Sequence, residues 1–262
     1  MMNYFAPREA AERYAHGRPD VHSRSIDQVK TFLRLDEKLD RVLDIACGTG
    51  LSTRALLAIG ERVYGTDISE EMLAFAPCKD IIRYYVAAAE LQPFDDHFFD
   101  LITVSSGVHW FDIDRFLSEA CRTLKSRGWL VLYENYFDAA LEAVPAFREW
   151  FTNVHLARFP TPPRNNRYDW SNENLETKGL HFKEELRSTY TIPMTKQQLA
   201  LYLTTQSNVI AKVEGADLGY DHVLGWLAEE LTPFFQTDDN THRVCFGNWI
   251  KFIQQLTPSA NS

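Results

Sequence analysis

The chain has 262 residues, 45% hydrophobic, 24% charged and 13% aromatic, a make-up that excludes a disordered or fibrous protein and is ample for a buried core. Its 27 Lys and Arg against 36 Asp and Glu leave a formal charge of −9, which counts against a surface built to neutralise phosphates and makes nucleic acid an unexpected partner. Cys47, Cys78, Cys121 and Cys245 are scattered, with no C-x-x-C pair and no histidine at ligand spacing, so neither a disulfide framework nor a metal site is expected.

The first thirty residues mix apolar and charged types without the apolar stretch of a secretory signal, and a helix is expected around Ile26 to Leu33. No uncharged apolar run approaches the roughly 20 residues of a membrane span, so the expectation is a soluble, cytoplasmic protein without a membrane partner. From Leu39 to Tyr136 short β-type runs alternate with helical-period segments, the pattern of βαβ units around a parallel sheet. Strands are expected at Arg41–Ala46, Arg62–Thr66, Ile82–Ala87, Asp100–Val104 and Trp129–Tyr133. A loop and then a helix are expected over Gly48–Ile59, and helices from an N-cap at Ser69 to a stop at Pro77 and at Ile113–Leu124, with Gly128 turning the chain into the fifth strand. After Tyr136 a helix around Glu142–Leu156 leads into the proline-rich Arg158–Arg164. A strand at His181–Met194, helices near Gln197–Ala211 and Asp221–Phe235, and a last strand at Val244–Ile253 complete the reading.

The most informative stretch is Val42-Leu-Asp-Ile-Ala-Cys-Gly-Thr-Gly50, a strand that runs into a glycine-rich turn and opens a helix. Gly48 and Gly50 allow positive φ and close approach of a ligand to the backbone. A dinucleotide fingerprint wants a third glycine where Thr53 stands, and Asp44 would repel pyrophosphate, which disfavours a nicotinamide oxidoreductase. A cationic or zwitterionic nucleoside such as S-adenosylmethionine fits better. Asp67, at the end of the second strand, stands where a carboxylate can accept from both ribose hydroxyls.

Leu43-Asp-x-x-Cys-Gly-Thr-Gly50, Gly65-Thr-Asp-Ile-Ser-x-x-Met-Leu73, Ala89-Glu-x-x-Pro-Phe94 and Phe99-Asp-Leu-Ile102 resemble the successive motifs of class I S-adenosylmethionine-dependent methyltransferases over residues 40 to 136. Tyr14, Arg18-Pro19, Val108-His-Trp-Phe-Asp112 and Thr204-x-Gln-Ser-x-Val209 are similar to the small-molecule, trans-aconitate-type subgroup. The resemblance implies a doubly wound, mostly parallel, seven-stranded Rossmann-like α/β sheet with a helical and loop cap over the C-terminal strand edge. It implies one domain over 1–262: a lid segment at 1–38, a cofactor-binding core at 39–136, a cap insertion at 137–180, and C-terminal strands with inserted helices at 181–262.

It further implies that the Ala46, Gly48, Thr49 and Gly50 turn passes under the methionine portion, that Asp44 holds its ammonium directly or through water, and that Asp67 holds the ribose. Ile68 and Met72 would pack on the adenine, with Ala89 offering an N–H, and Tyr14, Arg18 and Ser105 completing the cofactor set. Two departures stand out: Ala46 replaces the commoner glycine, and Ala88 replaces an aspartate that accepts from the adenine amino group, so Glu90 or a backbone carbonyl must serve. The expected reaction is methyl transfer to a small-molecule acceptor, with His109 as the base where the acceptor must lose a proton. Trp110, Arg158, Arg164 and Arg167 are the candidate acceptor contacts, suited to a carboxylate. The alternative is a non-catalytic adenosylmethionine-binding sensor or assembly protein.

Overall fold

The computed structural model describes residues 8–78, 80–162, 167–215, 218–235, 237 and 240–257. Two helices, α1 (Arg8–Gly17) and α2 (His22–Leu33), precede strand β1 (Leu39–Ile45), and a short helix α3 (Leu51–Ala55) with a 3-10 extension leads to β2 (Gly60–Asp67). Next come α4 (Glu70–Ala74), β3 (Ile82–Val86), β4 (Phe99–Ser105), a 3-10 turn at Val108–Trp110, α5 (Ile113–Thr123) and β5 (Leu124–Leu141). Then follow α6 (Pro145–Trp150), a π turn (Phe151–His155), α7 (Leu156–Arg158), α8 (Asn172–Glu176) and β6 (Leu180–Thr195). The chain closes with α9 (Lys196–Thr204), α10 (Ser207–Glu214), α11 (Tyr220–Glu230) and β7 (Thr241–Gln255).

The strands form a seven-stranded sheet in the order β3-β2-β1-β4-β5-β7-β6, and the first five pair in parallel. From β1 the chain steps outward to β2 and β3, then crosses back to β4 on the other side of β1 and continues to β5. The connections therefore diverge at the C-terminal ends of β1 and β4, the position where open α/β sheets receive ligands.

The central strands read as apolar runs because both faces are covered. Val42, Leu101, Val131 and Tyr133 join Ile26 and Val29 of α2 in one buried cluster. Leu43, Ile45, Ile102, Val104, Leu130 and Leu132 join Ile113, Phe116, Leu117 and Ala120 of α5 in another. This two-residue alternation between clusters is the pleat of a doubly covered sheet.

By contacts the chain divides into two compact units. A core unit comprises Asp20–Asn135, Arg164–Arg187 and Trp249–Ser262, and a second unit comprises Met1–Pro19, Tyr136–Pro163 and Ser188–Asn248. Within the second unit α6, α9, α10 and α11 bury Phe147, Leu199, Leu203, Val209, Val223 and Leu227 together. Its aromatic interior holds His155, fully buried, stacked on Phe151 at 4.7 Å between centroids and flanked by Phe159 and Trp150. Neither ring nitrogen of His155 has a hydrogen-bond partner among the described residues.

Several elements differ from their expected bounds for identifiable reasons. Gly128 does not separate α5 from β5, because the strand already begins at Leu124. The register jumps from Phe99 opposite Leu124 to Leu101 opposite Trp129, so residues 125–128 bulge out, with Arg127 at φ +63°. The helix expected around Glu142 starts only at Pro145, whose ring suits the first helical position. The single helix expected over Gln197–Ala211 is two, because Thr204 and Thr205 turn their hydroxyls back to the carbonyls of Leu201 and Tyr202. No helix among the described residues is long and apolar enough to cross a membrane.

Candidate functional site

The turn after β1 is held open by backbone conformation. Ala46, Gly48 and Gly50 all have positive φ, at +55°, +54° and +75°. Glycine carries this without penalty, whereas Ala46 pays for it through its methyl group. The turn is closed by Gly50 N–H donating to the Cys47 carbonyl at 2.9 Å and tied to β2 by Cys47 N–H donating to Thr66 at 3.0 Å. A Cβ on Gly48 would come within 2.9 Å of the Met72 methyl, and one on Gly107 within 2.9 Å of the Ala46 methyl, so the loops after β1 and β4 touch.

Asp67 ends β2 with its carboxylate turned onto that turn. Oδ2 accepts from Gly48 N–H at 2.8 Å and Oδ1 from Ser69 N–H at 2.9 Å, and the Ile68 N–H also acts on the carboxylate, which keeps acceptor capacity for a further donor. Burial raises its pKa against the lowering effect of those backbone donors. Ser69 then caps α4 by accepting from Met72 N–H at 3.2 Å. Met72 is buried, while Ile68 is 65% exposed beside Asp67 and offers an uncovered apolar surface.

Asp44 stands near the end of β1. It is wholly buried, and three hydroxyls enclose it: Ser52 and Thr53 donate to Oδ2 at 2.6 and 2.8 Å, and Thr103 donates to Oδ1 at 2.9 Å. Burial pushes its pKa up to about 6, opposed by the three donors, with the Asp67 charge adding to the rise. Two other hydroxyls of the site, Thr49 Oγ1 and Ser105 Oγ, are buried with no partner among the described residues. Such orphans are expected where a ligand supplies the missing hydrogen bond.

Past β3, the Ala88 carbonyl accepts from both Leu91 N–H at 3.1 Å and the Gln92 amide at 2.7 Å, which uses both of its lone pairs. Ala89 is buried in the core, and Glu90 accepts from Asp112 N–H at 2.8 Å at the start of α5. Of these two oxygens in place of the missing aspartate, the Glu90 carboxylate alone keeps acceptor capacity. His109 is buried in the 3-10 turn after β4, 4.7 Å from the Trp110 ring.

Tyr14 and Arg18 belong to the second unit, where the Arg18 guanidinium lies over the Tyr14 and Tyr202 rings at 4.7 and 5.1 Å and donates to the Thr205 carbonyl at 2.9 Å. In the same unit Arg158 lies over Trp226 at 4.4 Å, with His222 Nε2 at 3.2 Å from its Nη2. Arg167 is exposed, and Arg164 lies outside the described residues. Sequence reasoning missed Ser52, Thr53 and Thr103. The one available signal was a threonine inside the otherwise apolar run Leu101–Val104.

With this geometry in view, residues 43–132 match the family model described as a methyltransferase domain. Over those residues the chain is similar to class I S-adenosylmethionine-dependent methyltransferases. A Dictyostelium discoideum protein whose name assigns it to the methyltransferases is 26% identical over 80% of this chain and 79% of its own length. The demethylmenaquinone methyltransferase of Clavibacter sepedonicus is 38% identical over 36% of this chain and 41% of its own length, so the match spans under half of that relative. The fold matches a type II methyltransferase structure from Anaeromyxobacter dehalogenans with a TM-score of 0.67 at 22% identity, over 92% of this chain and 97% of that one. It also matches Haemonchus contortus phosphoethanolamine N-methyltransferase 2, solved with S-adenosylhomocysteine, with a TM-score of 0.53 at 18% identity over 98% of this chain and 61% of that one.

Proposed function

We propose that the core unit binds S-adenosylmethionine on the turn Ala46 to Gly50 and delivers its methyl group to a small-molecule acceptor. The observation that carries this reading is the left-handed glycine turn bonded to Asp67 at the divergence of β1 and β4. Bound there, the cofactor supplies an electrophilic methyl group on a sulfonium. Gly48 and Gly50 keep the backbone open for its methionine portion, and Thr49 and Ser105 offer it their unpartnered hydroxyls. Asp67 holds the ribose with its free lone pairs, while Ile68 and Met72 flank the adenine and Ala89 donates a backbone N–H to it. Glu90, bound to a single N–H, accepts from the adenine amino group in place of the aspartate absent at Ala88.

The transfer is an in-line displacement that needs alignment and exclusion of water more than acid or base chemistry. His109 takes the proton where the acceptor is an alcohol or carbon acid, and a carboxylate acceptor needs none. Small-molecule acceptors are supported by relatives named for quinone methylation. Trp110, Arg164 and Arg167 are assigned to the acceptor, the arginines favouring an anionic one through the guanidinium fork.

Asp67→Ala tests the reading, because it removes the ribose acceptor and frees the Gly48 N–H together. Calorimetric affinity for S-adenosylmethionine is expected to fall by about 1.5–3 kcal/mol, the range for hydrogen bonds to a charged group. Unchanged affinity would remove Asp67 from the site.

A further inference from the structure

The carboxylate of Asp44 is wholly buried and accepts hydrogen bonds from three hydroxyls. Its exposure is zero, and the donors around it come from two elements: Ser52 and Thr53 in α3, and Thr103 in β4. Asp44 and Thr103 are also direct register partners across the β1–β4 pair, so the Thr103 hydroxyl donates sideways within the sheet. The turn Cys47 to Gly50 is the chain between the carboxylate and its two α3 donors. A charge satisfied by several short hydrogen bonds in a dry interior is rigid, since each donor loses a charge-assisted bond if it moves.

Resting on the cofactor reading above, we infer that Asp44 is a positioning residue. It clamps the start of α3 to β1 and β4, and so fixes the turn that carries the cofactor without touching the cofactor's ammonium group. Ser52, Thr53 and Thr103 are the other half of the clamp. The titratable groups facing it are Asp67 on β2, Cys47 in the turn and Tyr84 on β3, while α3 and β4 face it with hydroxyls. The carboxylate accepts all three hydroxyl protons. Protonation removes the charge to which the three hydroxyls donate, so acid weakens the bonds of the clamp.

Two ligands separate action through the turn from direct contact: S-adenosylhomocysteine, which carries the amino acid portion, and 5′-methylthioadenosine, which lacks it. Calorimetric affinities are compared for wild type, Asp44→Asn and Thr103→Val. A clamp predicts that both variants weaken both ligands by a similar factor, about tenfold for loss of a hydrogen bond to a charged group. It also predicts that the wild-type affinity for S-adenosylhomocysteine falls as pH drops through about 6, and that this fall begins at higher pH in Thr103→Val, which has lost a donor that favours the ionised form. If Asp44→Asn does not fold, Thr103→Val carries the test alone. Weakening confined to S-adenosylhomocysteine would mean direct contact with the ammonium group and overturn the clamp. A lower melting temperature in Thr103→Val with affinities and pH profile unchanged would overturn it as well. Wild-type protein that binds neither ligand would overturn the cofactor reading itself, a result distinct from either.

Discussion

Gly48→Val is expected to abolish S-adenosylmethionine binding and leave the protein folded. Gly48 sits at φ +54°, where a β-branched side chain costs about 1–2 kcal/mol. The new Cβ would approach only the Met72 methyl, at 2.9 Å, and that is the free end of a flexible side chain able to give way. The fold therefore absorbs the change, with a drop in melting temperature of roughly 2–8 °C for a chain of this size. The site does not absorb it. The valine methyls fill the space above the turn, and any relaxation of φ draws the Gly48 N–H away from Asp67, so two cofactor-facing features fail together. Far-UV circular dichroism should match wild type while calorimetry finds no saturable binding. A folded variant with normal affinity would move the site away from this turn.

The second large effect concerns stability in acid. His155 is fully buried, and burial lowers its pKa to about 4, against about 6.5 in an unfolded chain. Between these values the unfolded state binds the proton and the native state does not, so stability is intact above about pH 6.5 and is lost as pH falls towards 4. From pH 7 to pH 5 the loss is about 2 kcal/mol from this group alone. Asp44 works in the opposite sense: its raised pKa makes the native state bind a proton more readily than the unfolded chain between about pH 6 and 4, which adds stability on acidification. The wild-type slope is therefore shallow, and a variant is needed to resolve the two. His155→Phe keeps the stacking on Phe151 and removes the titration. In urea unfolding its stability relative to wild type is expected to be about 2 kcal/mol more favourable at pH 5 than at pH 7. Parallel pH dependences of the two proteins would mean that His155 is already protonated or hydrogen-bonded in the native state.

How much of this was legible in the sequence depends on the range of the interactions. The strands β1, β2 and β4 declare themselves because doubly covered parallel strands must be apolar along their length, and the Ser69 cap is visible because its partner is three residues away. The glycine turn is legible through residue type. Ala46 at φ +55° is not, because alanine gives no sign of a left-handed backbone. The Asp44 clamp needs Thr103, 59 residues further on, and hydroxyls carry no periodic signal. The π turn around His155 is hidden for a related reason, since a local change of helical pitch leaves the apolar pattern nearly intact. The second unit draws on Met1–Pro19, Tyr136–Pro163 and Ser188–Asn248, segments that only tertiary contacts bring together.

The most direct test of the central claim is a calorimetric titration of S-adenosylmethionine into the wild-type chain, with Gly48→Val alongside. Saturable binding of one cofactor per chain, lost in the folded variant, is the predicted result. Wild-type protein that takes up no cofactor at millimolar ligand, or a variant that binds as the wild type does, would contradict it.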